Sequence, residues 1–323
     1  MKRISWFFTL LSLLVVACGS EIETESKLTY VPNDSGMATE LPVASSVSPE
    51  GEPLDINYGG CGAAEQPEAI VSLSPTATEM LYAVGAGPQV AAVDNFSYWP
   101  PEAPVIEDLQ GWNPNVEAIA GLQPDLVILS DFGIQEELEL LGIPVHVAEA
   151  VTELEDVYDQ MYEIGEITCQ RPGAAAAVSK MSTAITALVE SAGGRGEGLT
   201  YYHELDDTLY SIDSSTFIGD VYSLVGLVNI ADAADSEGTS WEYPQLTTEF
   251  VIQANPDLVF FADAQCCAQS VETISARPGW SEMEAIKKGN IFEVDSDISS
   301  RWGPRLVDFL QIVVAAIATV TGN

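Results

Sequence analysis

The chain has 323 residues, enough for two domains of ordinary size, and sets 49 Asp and Glu against 11 Lys and Arg, a formal net charge of −38. Phosphate backbones would be repelled by that balance, which excludes nucleic acid as a partner. The acid is scattered along the chain, as on a solvated surface.

The first segment reads as a targeting sequence. Lys2 and Arg3 precede an apolar run from Ile4 to Ala17 that is too short for a comfortable membrane span. It ends in Val15-Val16-Ala17-Cys18, which resembles a bacterial lipoprotein cleavage box; an ordinary signal peptide is the alternative. Residues 1–17 are therefore expected to be a signal peptide and Cys18 the lipidated first residue of the mature protein. The protein is then anchored at the extracytoplasmic face of the cell membrane, periplasmic or on the cell surface, where disulfides persist. Residues 18–66 are rich in Ser, Glu, Pro and Gly without apolar periodicity and read as an acidic, disordered tether.

From residue 67 onward strands and helices alternate. Ala69–Leu73 is a short apolar strand, and Ser74-Pro75-Thr76 caps a helix that runs to Val84 and stops at Gly85. Val90–Val93 is a second strand, followed by an aromatic, proline-rich loop over 94–104. Asn113-Pro114-Asn115 opens another helix, and residues 124–129 are a third strand. Helix Gln135–Leu141, strand Val145–Val147 and helix Glu153–Ile167 follow. This alternation predicts a parallel sheet covered on both faces. Residues 172–191 (PGAAAAVSKMSTAITALVES) combine a first-turn proline, an Ala run and a Gly193-Gly194 stop, and predict a helix of about 30 Å.

After that helix the sequence repeats itself. Glu117 stands seven residues before Pro124-Asp125-Leu126-Val127, and Glu249 stands seven before Pro256-Asp257-Leu258-Val259. Likewise SPTATEMLYAVG (74–85) matches STFIGDVYSLVG (215–226) in length and apolar positions. Self-similarity at fixed spacing marks a duplicated architecture. The fold expected is α/β, with lobes at 67–168 and 199–323 joined by the single helix 172–191. Parallel sheets bind ligands at the carboxyl ends of their strands. Those ends lead into 74–78, 94–104 and 130–134 in one lobe, and into 206–210, 262–270 and the loop after 291–294 in the other.

These loops concentrate aromatic residues: Phe96, Tyr98, Trp99 and Trp112, then Tyr210, Trp241, Tyr243 and Trp302. Aromatics placed there stack on a ligand, meet a partner or close over the core. Arg301 and Arg305 sit in Ser300-Arg-Trp-Gly-Pro-Arg305; each either grips a ligand oxygen with its fork of donors or belongs to a structural ion pair. Beyond Cys18 the cysteines are Cys61, Cys169, Cys266 and Cys267, which allow three pairings.

Catalytic material is sparse. His146 lies inside a strand pattern as a core residue, and His203 heads His203-Glu204-Leu205-Asp206-Asp207. No metal site is expected from so few ligands, and no GxSxG, Walker A, HExxH or CxxC motif occurs. The rival reading is an extracellular α/β enzyme that uses His203 with Glu204.

Several motifs in order, IVSLSPTATEML (70–81), YWPPEA (98–103), NVEAI (115–119), PDLV (124–127), GIP (142–144) and RWGPR (301–305), make the chain similar to the iron-siderophore/vitamin B12 substrate-binding proteins of ABC importers. The resemblance covers about residues 67–318. It implies two Rossmann-like lobes bridged by one stiff helix, small closure motions, no enzymatic activity and no resident cofactor. It implies a monomer that captures a bulky metal-chelate nutrient containing cobalt or iron. A corrinoid is preferred, with ferric siderophore or haem as alternatives. By the same resemblance Glu117 and Glu249 dock on the permease, which works with its ATPase. Ligand contacts fall on Phe96, Trp112, Tyr210, Tyr243, Asp297 and Arg301, with Trp99, Trp241 and Trp302 beside them. Placed on this fold, Cys61 and Cys169 lie at the edge away from the cleft and are expected to pair. Cys266-Cys267 fall on the cleft side as a vicinal disulfide or a thiol pair.

Overall fold

The computed structural model describes residues 66–130, 133–234 and 242–322. The signal peptide, Cys18, the tether, Cys61 and Trp241 lie outside them.

In the first lobe the order is β1 (Ile70–Ser72), α1 (Pro75–Ala83), β2 (Val90–Val93), α2 (Val116–Gly121), β3 (Leu126–Leu129), α3 (Gln135–Leu140), β4 (Val145–Val147) and α4 (Leu154–Ile167). After α5 (Arg171–Ala192), the second lobe runs β5 (Thr200–Glu204), α6 (Phe217–Ser223), β6 (Val228–Asn229), α7 (Thr248–Ala254) and β7 (Leu258–Phe261). It continues through α8 (Ala264–Cys267), α9 (Val271–Ser275), α10 (Glu284–Lys288), β8 (Ile291–Glu293), α11 (Ser296–Ser300) and α12 (Leu306–Thr321). Each lobe holds a four-stranded sheet, ordered β2-β1-β3-β4 and β6-β5-β7-β8, with every pair parallel. The central strands are continuous apolar runs because helices cover both faces.

The repeated motifs have physical reasons. Asp125 accepts hydrogen bonds from the Glu68 and Ala69 amides at 2.8 and 3.0 Å, and Asp257 accepts one from the Thr200 amide at 2.9 Å. In both lobes, then, the aspartate of the Pro-Asp-Leu-Val motif ties the entry of the third strand to that of the first. The side chains of Asn115 and Thr247 cap α2 and α7, each accepting from the backbone N–H three residues on at 3.1 Å.

The bridging helix α5 has 22 residues, about 33 Å, and ends at Gly193 in the left-handed conformation. It packs against α4 and α12. Its two ends are seated alike. A Cβ on Gly173 would lie 1.8 Å from the Val84 carbonyl oxygen, and one on Gly196 would lie 2.2 Å from that of Val225. Val84 and Val225 are matched positions of the repeat. One apolar core runs through both lobes along this layer, from Met80, Met161 and Ile164 through Val178, Met181 and Ile185 to Tyr222, Phe309 and Val313. Separate clusters fill the far face of each sheet. A shared core of this kind resists rotation of one lobe against the other. His146, expected in the core, lies instead on the half-buried edge strand β4.

Candidate functional site

Every strand of both sheets leaves its loops at the carboxyl edge, and the loops after β2 and β8 meet across the lobes. Glu79, buried in α1, accepts hydrogen bonds from Arg301 Nη1 at 3.0 Å, from Arg305 Nε at 2.9 Å and from Arg305 Nη2 at 2.5 Å. Arg301 Nη2 also donates to the Phe96 carbonyl at 3.1 Å and pairs with Asp297 at 2.7 Å. The Tyr98 hydroxyl donates to Asp297, and the Tyr98 ring lies 5.3 Å from the Arg301 guanidinium. The Trp99 ring lies 4.9 Å from that of Arg305. Asp295 holds Asp297 in place by capping α11, accepting from the Asp297 and Ile298 amides at 2.9 and 3.1 Å.

The loops that follow the strands of both lobes also carry exposed aromatics. Phe96 (44% exposed), Tyr98 (48%), Tyr210 (41%) and Tyr243 (46%) are all half-open, and Trp112 is the most exposed of the expected set. Asp94, just after β2, is buried with its Oδ1 accepting from the Phe96 amide at 2.8 Å; burial pushes its carboxyl upward, and hydrogen bonds from Phe96 and Ser97, with Arg301 after them, oppose this.

The expected site residues thus divide. Phe96, Tyr210 and Tyr243 lie on loops that follow β2, β5 and β6, and Asp297 lies at the inter-lobe contact. Two others are not placed as expected. Arg301 is 8% exposed and committed to Glu79, Asp297 and the Phe96 carbonyl, which makes it a structural ion pair. Trp302 packs on the common core and donates its indole N–H to Gln160 of α4 at 2.9 Å, joining the lobes rather than lining the cleft. Trp99 is half-buried beneath Arg305. Arg305 takes the ion-pair alternative that its motif left open, Tyr98 is one of the loop aromatics already singled out, and Glu79 was missed as a member of this site. A usable signal was present for Glu79, an acid on a buried stretch of α1 whose repeat counterpart is Asp220.

Glu117 and Glu249 are both exposed and occupy the second position of α2 and α7. Cys266 and Cys267 form a disulfide with each other, and Cys169, in the left-handed conformation at the end of α4, is also disulfide-bonded.

The enzyme alternative fails on geometry. His203 is fully buried, its Nδ1 is 2.8 Å from the Tyr222 hydroxyl, and burial drives its imidazole down to about 3, so it stays neutral. Glu204 is fully buried in a bidentate pair with Arg277 at 2.5 and 2.6 Å. Neither reaches a substrate. Beside them Asp263 is buried, with neither carboxylate oxygen hydrogen-bonded. Burial first, and the neighbouring Glu204 second, raise its carboxyl to about 7. Among the described residues no group of three or more His, Cys, Asp or Glu converges as metal ligands.

The family model for periplasmic binding proteins matches residues 70–298. The chain belongs to the periplasmic binding protein family. It is 28% identical over 263 residues to an uncharacterised ABC transporter substrate-binding lipoprotein, YvrC of Bacillus subtilis, covering 78% of this chain and 81% of that one. It is 29% identical over 270 residues to a cobalamin-binding protein of Halobacterium salinarum, covering 79% and 71%. The fold is shared with the periplasmic haem-binding protein RhuT of Roseiflexus (TM-score 0.69, 21% identity, covering 78% and 98%). The chain is therefore a substrate-binding protein of the iron-siderophore/vitamin B12 type of ABC importer, which takes a small-molecule ligand and works with a permease and an ATPase. The family consists of extracytoplasmic binding proteins, not enzymes. No helix among the described residues is long and apolar enough to cross a membrane.

Proposed function

We propose that the ligand is a corrinoid, held between the carboxyl edges of the two sheets by aromatic contact and handed on to the permease. One observation carries this reading: the two arginines at the inter-lobe contact, Arg301 and Arg305, are already neutralised by Glu79 and Asp297. A haem with its two propionates, or an anionic ferric chelate, would bring negative charge to a chain of net charge −38, and the two arginines described at the inter-lobe contact are already occupied. A corrinoid such as cyanocobalamin is large, net-neutral and built on a flat conjugated ring, which suits the half-exposed Phe96, Tyr98, Tyr210 and Tyr243. The likeness to the Halobacterium salinarum cobalamin-binding protein supports the same choice.

The remaining parts of the reading follow the same scheme. Cys18 carries the lipid anchor, residues 18–66 are the tether, Cys61 pairs with Cys169, and the monomer docks through Glu117 and Glu249. Their matched, exposed positions at the starts of α2 and α7 support that docking role.

The test is titration of the purified protein with cyanocobalamin, haemin, a ferric hydroxamate and a ferric catecholate, followed by absorbance and tryptophan fluorescence. Tight, saturable binding of cyanocobalamin is expected. Binding of haemin or a ferric chelate in its place would overturn the corrinoid assignment.

A further inference from the structure

We propose that the Cys266–Cys267 disulfide is part of the ligand-contacting surface, a rigid apolar platform for a flat, conjugated or aromatic face of the bound molecule. This rests on the reading of the inter-lobe cleft as the ligand site. Position is the first argument. Cys266 and Cys267 end α8, which leaves the carboxyl edge of the central strand β7. Gln265 Nε2 of the same turn donates to Asp295 Oδ2 at 3.1 Å, and Asp295 caps the helix whose Asp297 receives the Tyr98 hydroxyl of the other lobe. The platform therefore adjoins the contact through which Tyr98, Asp297 and Arg301 join the two cleft edges.

Exposure is the second argument. Cysteine is among the most consistently buried residue types, yet no side chain of α8 is buried, Cys266 is exposed and Cys267 half-exposed. Rigidity is the third. The Cys267 amide bonds the Asp263 carbonyl at 3.1 Å, and Gln269 accepts from Arg277 at 3.0 Å while Arg277 grips the buried Glu204. A polarizable sulfur pair pinned in this way makes favourable contacts with aromatic and conjugated faces without ordering a flexible side chain.

The test reads contact directly. Oxidised protein is treated with dithiothreitol, with and without saturating cyanocobalamin, and newly formed thiols are mapped by alkylation and mass spectrometry. Bound cyanocobalamin is expected to slow reduction of Cys266–Cys267 several-fold while leaving the rate at Cys169 unchanged. Cys266→Ser/Cys267→Ser is expected to bind cyanocobalamin about tenfold more weakly, with an unaltered melting temperature. Equal reduction rates with and without ligand overturn the platform, even if the double variant binds weakly, because that combination reports loop shape alone. If haemin binds instead of cyanocobalamin, the same two readouts taken with haemin decide the platform, and only the corrinoid assignment falls. If the oxidised protein binds neither of these nor a ferric chelate, the ligand reading falls and the platform with it.

Discussion

The two lobes are built on one plan and joined asymmetrically. Glu79 of α1 and Asp220 of α6 occupy the same position of the repeat, and each reaches across to the start of the other lobe's last helix. Glu79 meets Arg301 and Arg305 ahead of α12 and is held by three hydrogen bonds. Asp220 meets only the Leu154 amide at the start of α4, with the like charges of Glu153 and Glu155 nearby; burial raises its carboxyl and those charges add to the effect. A carboxylate at a helix N-terminus is favourable in both cases, but only one side has cations to complete it. The lobes are therefore locked on the α1–α12 side and merely in contact on the α6–α4 side.

The sharpest way to break this comparison is to remove each acid in turn. Glu79→Ala leaves the Arg305 guanidinium unpaired and Arg301 with Asp297 alone, and should cost about 3–5 kcal/mol, whereas Asp220→Asn should cost about 1 kcal/mol or less. Calorimetry reads the difference, at roughly 2–4 °C per kcal/mol for a protein of this size. Equal losses would mean that the two contacts are equivalent.

The seats of the bridging helix, by contrast, should respond alike. Gly173→Ala and Gly196→Ala each drive a methyl group into a carbonyl oxygen of a repeat motif, that of Val84 and that of Val225. Each is expected to lose about 1–3 kcal/mol, measured by urea denaturation. A neutral result at either would show that the helix is seated at one end only.

A smaller, pH-dependent effect separates the sheet edges. Among the described residues the first lobe carries no counterpart of the buried Glu204–Arg277 pair that flanks Asp263. Asp263 titrates at about 7 in the folded protein, above its ordinary 3.8. The folded state thus binds more protons between those values, and this contribution grows as pH falls from above 7 toward 4. His203 and His146 are held neutral by burial and act in the opposite sense below about 6.5. The comparison must therefore be between wild type and Asp263→Asn. The variant should melt several °C above wild type at pH 8, and the gap should narrow steadily as pH falls toward 4. A constant gap would place the carboxyl in an ordinary environment.

The smallest expected effect on stability comes from the paired glutamates. Glu117→Arg and Glu249→Arg lie on exposed first turns and should change stability by no more than about 0.5 kcal/mol. Ligand affinity should stay intact while uptake by cells is abolished, and normal uptake would refute the docking assignment.

The sequence made much of this legible because local signals and tertiary structure agree. Strand Val90–Val93 and the Asn115 cap of α2 are written in apolar runs and capping residues, and the Gly193 stop of α5 in the need for a positive φ. The repeat exposed the two-lobe plan because Asp125 and Asp257 do the same work in each sheet. The inter-lobe contact was harder to read. Glu79 stands 222 and 226 residues from its arginine partners, and nothing local distinguishes an arginine sealed by a distant carboxylate from one open to a ligand. The same limit misplaced Trp302, whose partner Gln160 lies 142 residues away on α4. His203 shows the converse: a short cluster of polar residues suggested chemistry, and burial of the imidazole against the Tyr222 hydroxyl removed it.

The most direct test of the account is a crystal structure of the protein grown with cyanocobalamin. Difference density for the corrin ring should lie between the two carboxyl edges, against Phe96, Tyr98, Tyr210 and Tyr243, with Glu79 still bonded to Arg301 and Arg305. Density on another face of the molecule, or a cleft that admits the ligand only after the Glu79 contacts have parted, would contradict it.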